Sequence, residues 1–325
     1  MTRFPFTSFP NGWFKVAYSD ELSPKKVMPL HYFGKDLVLF RTQDGIPHVF
    51  DAHCPHLGAH LGYGGQVNGT TIQCPFHGWC FNSLGSCVEI PYASKIPPKA
   101  QIRSWPVREV NGVIMVYYDA KGESPTWEMP EPSEWNPKEY THFKRYNWKI
   151  RTHIQEFAEN ATDTAHLPIL HKFGEVGSIS VEKNNGSSFI NTVSIRVGKQ
   201  NQFFMRLFDR NCDIFMKHSW DGMGRVCNDV KVNIGDRVQV NILSVFFTTP
   251  IDGEYVELSL LFSIKKVFGK LITSFLHHRL FQDAITNINC DIPVWENKVY
   301  RRIPLLCDND GPIVQVRGWA EQFYE

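Results

Sequence analysis

Two mixed cysteine–histidine pairs on one short stretch constrain this chain more than any other feature. In CPHLGAHLGYGGQVNGTTIQCPFHGW, residues 54–79, Cys54 and His56 form one pair and Cys74 and His77 the other, with seventeen residues between. Two thiolates and two imidazoles can hold zinc or a two-iron cluster. A zinc finger of the Cys2His2 kind groups its cysteines on a hairpin and its histidines on a helix. Here each pair is mixed and each has its own loop, which suits a cluster covered by two loops. Pro55 and Pro75 each follow a ligand cysteine and stiffen its loop. Gly58, Gly62, Gly64, Gly65, Gly78 and Gly85 allow tight turns and let backbone N–H groups approach the sulfurs.

Two histidines in place of two cysteines is the ligand set of a Rieske [2Fe-2S] centre. Rieske proteins of respiratory complexes add a disulfide between the two loops. Ala59 and Phe76 stand where those cysteines would fall, and Trp79 replaces a serine that would donate to a sulfur. Fewer donors mean a lower reduction potential, so the cluster is expected to feed an oxygenase site and not to oxidise a quinol.

The remaining composition narrows the setting. The chain has 325 residues, enough for one large domain or two unequal ones. With 34 basic and 33 acidic residues spread along it, no charged block points to nucleic acid. Eight cysteines are too few for a secreted disulfide scaffold, and Cys80, Cys87, Cys212, Cys227, Cys290 and Cys307 read mostly as small buried hydrophobes. The N-terminus lacks the apolar core of a signal peptide, and no apolar run is long enough to span a bilayer. A cytoplasmic protein is expected. KKVFGKLITSFLHHRLF (265–281) carries Leu271, Ile272, Phe275 and Leu276 at helical spacing. It could lie on a bilayer, but a helix buried on that face is the favoured reading.

An α+β chain of two domains follows from the periodicity. Residues 10–118 read as short strands punctuated by turns (WFKVAY, DLVLFRT, PHVFDAHC, TTIQCPFHGW, VIMVYYD), an all-β antiparallel domain. A linker over 119–140 holds four prolines. Residues 141–325 then show a helix near 152–165 and strands in SFINTVSIRV, QFFMRLFD, RVQVNILSVFFTTP and YVELSLLFSI. A long helical pattern runs over about 268–299. These make an antiparallel sheet with helices gathered on it.

A second constellation lies in EFAENATDTAHLPILH (156–171). Asp163 and His166 are three apart and would share a helix face. His171 lies five beyond His166, roughly 140° around an ideal helix. Pro168 is expected to bend or end the helix and let His171 swing back. Two imidazoles plus a carboxylate from elsewhere make the facial triad of non-haem Fe(II) oxygenases. Ordinary helix-end histidines are the bland alternative.

With both constellations present, the chain resembles the oxygenase component of Rieske non-haem iron oxygenases. The family pattern Glu-Asn-x-x-Asp-x-x-His-x-x-x-x-His matches Glu159, Asn160, Asp163, His166 and His171. The resemblance implies a helix-grip catalytic domain in which His166 and His171 bind the iron. It also implies that Asp163 bridges to a Rieske histidine of a neighbouring subunit, in a ring that is usually a homotrimer. The third ligand must come from FQDAITNINCDIPVWENKVY, where Asp283 and Asp291 are candidates. CDIPVWENK and PLLCDNDGPIVQVRGWAEQFY resemble the C-terminal part of 3-ketosteroid 9α-hydroxylase oxygenases and cholesterol 7-desaturases, whose ligand aspartate matches Asp291. Pro293, two residues on, departs from that pattern and is expected to kink the helix.

No nucleotide-binding fingerprint is present, so NAD(P)H electrons are expected to arrive through a separate reductase or ferredoxin. The substrates would be O2 and a bulky hydrophobic molecule, a sterol or steroid by the resemblance, hydroxylated or desaturated. A non-steroid polycyclic or aromatic compound is the alternative. A non-catalytic electron carrier or lipid-binding protein is the reading from another class.

Overall fold

The computed structural model describes residues 3–130, 136–197, 212–235, 238–267 and 269–324. The chain divides into two units, residues 9–131 with 249–253, and residues 1–8 with 132–248 and 254–325. The expected strand QFFMRLFD lies outside the described residues.

The first unit holds three small antiparallel sheets. One joins β1 (Gly12–Tyr18), β11 (Val113–Tyr118) and β10 (Val107–Val110) in that order. A second orders β2 (Val27–Tyr32), β3 (Lys35–Arg41), β4 (Pro47–Asp51) and β9 (Ser104–Trp105). The third orders β5 (Gln66–Asn68), β6 (Thr71–Gln73), β7 (Cys80–Phe81) and β8 (Cys87–Glu89), and carries the loops of the first motif at its ends. Leu37, Val38, Leu39 and Phe40 of β3 are all sealed from solvent, so this strand is covered on both faces and its run of consecutive apolar residues is explained. Val38, Phe40 and Phe50 share one core with Leu61, Ile72, Phe81, Cys54 and Cys74. Removing that apolar area from water is what holds such short strands together.

The second unit is built on one seven-stranded sheet. Its order is β12 (Lys144–Ile150), β18 (Val256–Ile264), β17 (Val238–Pro250), β16 (Arg225–Ile234), β15 (Cys212–Asp221), β14 (Ser188–Val197) and β13 (Glu175–Asn185). Along β14 the burial alternates strictly, with Phe189, Asn191, Val193, Ile195 and Val197 inward, as for a sheet covered on one face. The helices are α1 (Ile154–Asn160), α2 (His166–Leu170), α3 (Lys270–Asn297) and α4 (Ile313–Glu321). α3 packs on β12 and β18, and α4 packs on α1 and β13. Among the described residues no helix is long and apolar enough to cross a membrane.

Two helical expectations need correction. The helix expected over 152–165 stops at Asn160, and residues 161–165 form turns before α2 begins. Thr162 Oγ1 donates to the Glu159 carbonyl at 2.9 Å, closing the end of α1 with a side chain. In α3 the face expected to be buried is the exposed one: Leu271, Ile272 and Phe275 lie in solvent. The inward stripe is Thr273, His277, Leu280, Phe281, Ile285, Asp291 and Trp295. Polar anchors decide the rotation, since His277 Nε2 lies 3.2 Å from the Phe262 carbonyl and 3.3 Å from Thr141 Oγ1. α3 also runs past Pro293 to Asn297, where Asn297 Nδ2 donates to the Pro293 carbonyl at 2.8 Å. Of the scattered cysteines, Cys290 and Cys307 are exposed and the others are buried.

The N-terminal segment belongs to the second unit. Phe6 stacks on His153, with ring centroids 4.2 Å apart, and Phe4 leans on the same ring. His153 Nδ1 accepts from the Gln155 backbone N–H at 3.2 Å and so caps α1. Burial pushes this imidazole down to about 3. The unfolded chain therefore takes up a proton below its ordinary value that the native chain refuses. Stability from the neutral ring is complete above about pH 6.5 and is lost as pH falls toward 3, by up to about 1.4 kcal/mol per pH unit. Asn at this position keeps a capping oxygen without titrating. Denaturant unfolding at pH 7 and pH 5 should cost the native protein about 2 kcal/mol more than His153→Asn; equal losses would contradict the neutral cap.

Candidate metal centres

The two loops of the first motif repeat one backbone design. The Cys54 N–H donates to the Ala59 carbonyl, and the Cys74 N–H to the Trp79 carbonyl, at 2.9 and 2.8 Å. The Gly58 N–H donates back to the Cys54 carbonyl, and the Gly78 N–H to the Cys74 carbonyl, at 2.9 and 3.1 Å. Both glycines have positive φ, 76° and 74°, which a side chain would strain. The loops thus match from cysteine to glycine, although His56 stands two residues after its cysteine and His77 three. Their imidazoles meet with ring centroids 4.6 Å apart at 70°.

These residues fit an iron–sulfur cluster. Cys54 and Cys74 are both buried, and burial pushes the Cys54 thiol up to about 11, with Cys74 adding to the shift. A buried thiol that resists ionisation becomes a thiolate when a metal supplies the positive charge. His56 Nδ1 is buried and has no hydrogen-bond partner among the described residues, leaving a donor atom for metal. Sequence reading missed how His56 is held. Trp79 stacks on it at 4.7 Å and 7°, and the Trp79 indole N–H donates to Tyr92 Oη at 2.9 Å. The residue that removes a sulfur donor thus serves as a wall for a ligand ring.

The second centre is assembled from three places in the chain. His166 opens α2 and His171 caps its end, with Lys172 at φ 55° reversing the chain just after. Pro168 does not break this helix. It lies within the first turn, where its missing N–H costs nothing. The helix simply ends at Leu170, and that brings the two rings to 5.1 Å and 74°. From α3, Asp291 Oδ1 reaches 3.2 Å from His171 Nε2 and 4.0 Å from His166 Nε2. One ligand atom from each of the three residues lies within 4.8 Å of the others.

Asp291 is 3% exposed, and its Oδ1 accepts no hydrogen bond among the described residues. A buried carboxylate oxygen beside two imidazoles and without a donor is the arrangement that a divalent cation stabilises. Asp283 is not brought to the histidines. It pairs with Arg279 at 3.3 Å, and burial raises its pKa. Asp163 sits in the turn before α2, not on a shared helix face. Its Oδ1 accepts from the Ala165 N–H at 2.9 Å, and its Oδ2 lies 3.4 Å from His166 Nδ1.

The segment 159–164 is fixed from outside. Arg317 of α4 clamps Glu159 with Nε to Oε1 at 2.9 Å and Nη2 to Oε2 at 2.7 Å. Gly311 packs so closely that an added Cβ would lie 2.1 Å from the Thr162 carbonyl oxygen. Glu159 was part of the sequence motif, but its partner was not legible, because the contact spans most of the second unit.

The triad lines an open cavity of about 150 Å³. Phe157, Leu167, Phe173, Val193, Val226 and Phe246 give it a mostly apolar lining. Phe246 comes from the strand segment NILSVFF, expected to contribute to such a pocket.

Residues 12–106 match the model of the Rieske [2Fe-2S] domain, and residues 116–324 match that of the 3-ketosteroid 9alpha-hydroxylase C-terminal domain. A cholesterol 7-desaturase of Xenopus laevis is 32% identical, over 97% of this chain and 72% of its own length. The oxygenase component of 3-ketosteroid-9-alpha-monooxygenase from Rhodococcus rhodochrous is 29% identical, over 98% and 83%. Among solved structures, dicamba monooxygenase bound to dicamba shares the fold at a TM-score of 0.73 and 19% identity, over 97% of each chain. The matching of both halves and these relatives lead to one conclusion: the chain belongs to the Rieske oxygenases, as an oxygenase component related to sterol desaturases and steroid hydroxylases.

Proposed function

We propose that the chain takes electrons from a separate reductase or ferredoxin, itself supplied by NAD(P)H, and hydroxylates or desaturates a sterol or steroid. The observation that carries this reading is a two-histidine, one-carboxylate triad set in the wall of a mostly apolar cavity. The apolar lining suits an apolar molecule. Relatives named for cholesterol and for 3-ketosteroids support the substrate class. The cytoplasm, with its pool of reduced nicotinamide, is the compartment we assign.

Cys54, His56, Cys74 and His77 would hold the [2Fe-2S] cluster; His166, His171 and Asp291 would hold the mononuclear Fe(II). Bound there, the two centres supply one-electron transfer and dioxygen activation. The protein residues set the conditions for that chemistry. Asp163 beside His166 Nδ1 favours the tautomer with its proton on Nδ1, leaving Nε2 free for the metal. The apolar lining excludes water from the reacting C–H bond and holds the substrate against the triad. Asp163 is partly exposed, which supports its second role, contact with a Rieske histidine of the neighbouring subunit in a homotrimer.

Three measurements test this reading. Asp291→Ala should lose the mononuclear iron and keep the Rieske absorption spectrum, whereas Asp283→Ala should keep both; iron analysis beside visible spectra decides, and the reverse pattern would move the ligand to Asp283. Asp163→Asn should retain both kinds of iron yet turn over at least a hundredfold more slowly (order of magnitude for a displaced transfer or positioning group). Full turnover would remove Asp163 from the electron route. Finally, the protein reconstituted with a surrogate reductase and NADH should convert members of a panel of sterols, steroids and polycyclic aromatics under heavy-isotope O2. One labelled oxygen in the product means hydroxylation, and loss of two hydrogens without label means desaturation. Turnover confined to the non-steroid compounds would refute the substrate class.

A further inference from the structure

The sheet wall of the cavity carries His218 and Asn228, and their row continues one strand further to Asn191, outside the cavity lining. Asn191 of β14, His218 of β15 and Asn228 of β16 are register partners, so their side chains leave the same face of the sheet. Around them on that face stand Val193, Met216 and Val226. His218 and Asn228 line the same cavity as the triad, and His218 is 7% exposed.

The hydrogen bonding of the row fixes the state of the histidine. His218 Nδ1 lies 2.9 Å from Asn228 Oδ1, and an amide oxygen only accepts, so Nδ1 carries the ring proton. Burial lowers the pKa of this imidazole and keeps the ring neutral. Nε2 is then a bare lone pair, with no hydrogen bond among the described residues. One strand over, Asn191 is fully buried, and neither its Nδ2 nor its Oδ1 has a partner among the described residues. Apolar side chains would fill this wall at lower cost than unpaired polar atoms. The row has the form of a binding subsite awaiting a polar group.

We propose that His218 determines specificity: its Nε2 accepts a hydrogen bond from a hydroxyl on the substrate ring system, so the cavity takes a hydroxylated sterol in preference to the corresponding ketone. This rests on the sterol reading above. A hydroxyl in the cavity donates to Nε2 of His218, which lines it. A ketone only accepts, and would set its oxygen against the Nε2 lone pair. Sites that pair with a substrate hydroxyl discriminate more strongly than apolar pockets do, because the unpaired protein atom stays buried.

The test is equilibrium dialysis of cholesterol, cholest-4-en-3-one and the deoxy analogue cholest-5-ene against the iron-loaded protein. The cluster is kept oxidised and the reductase left out, so that nothing turns over. Cholesterol should bind about tenfold tighter than either analogue, the ratio expected for one buried hydrogen bond. His218→Phe should bring the three within about twofold of one another with its iron content unchanged. The ligand series on the unaltered protein decides the matter even if that variant fails to fold. Equal binding of the three, or tighter binding of the ketone, overturns the role of His218 and leaves the sterol reading standing. If none binds while a polycyclic aromatic does, the sterol reading falls and this inference with it.

Discussion

A carboxylate buried without a fixed positive partner is the constraint on which the second unit turns. Asp291 lies on the inward stripe of α3, between Ile285 and Trp295, where an apolar residue would be expected. Placing an ionised carboxylate there would cost several kcal/mol unless something compensates it. Its nearest groups are two imidazoles, which are neutral when they ligate metal. A cation shared by all three, as proposed above, would supply the compensation. The fold repeats this logic at each step outward: α2 is only five residues long so that both histidines face one point, and α1 ends early so that Asp163 can approach His166 from a turn.

That arrangement depends on α4 as much as on the ligands. The paired hydrogen bonds of Arg317 with Glu159 are largely shielded from water, with the two side chains 15% and 8% exposed. Removing one partner of such a pair costs about 3–5 kcal/mol, because the other is left charged and buried. Gly311 adds a second restraint through its contact with the Thr162 backbone. The C-terminal segment thus sets the position of a turn some 150 residues earlier in the chain, and with it the distance from Asp163 to His166.

What was legible in the sequence was local. The cluster motif could be read because Cys54, His56, Cys74 and His77 act through loop lengths and glycine positions that are visible in order. SFINTVSIRV read correctly as a strand to the residue, since its alternation reports a sheet with one covered face. The end of α1 could not be read, because a side-chain cap from Thr162 and contacts from α4 override a helical pattern. The rotation of α3 misled for a related reason: its Leu271, Ile272 and Phe275 look like a core face, but hydrogen bonds at His277 turn them outward. The choice between Asp283 and Asp291 was open on spacing alone. It becomes decidable only once the inward stripe of α3 is known.

The spacing of the two ligand sets bears on how the molecule is put together. All four residues proposed as cluster ligands fall within one short loop pair, so closing that site costs little chain entropy. The mononuclear site joins residues more than a hundred apart, and closing the longer loop costs about 1–2 kcal/mol more. A growing chain therefore presents all four residues proposed to hold the cluster well before Asp291, the last of those proposed for the mononuclear iron.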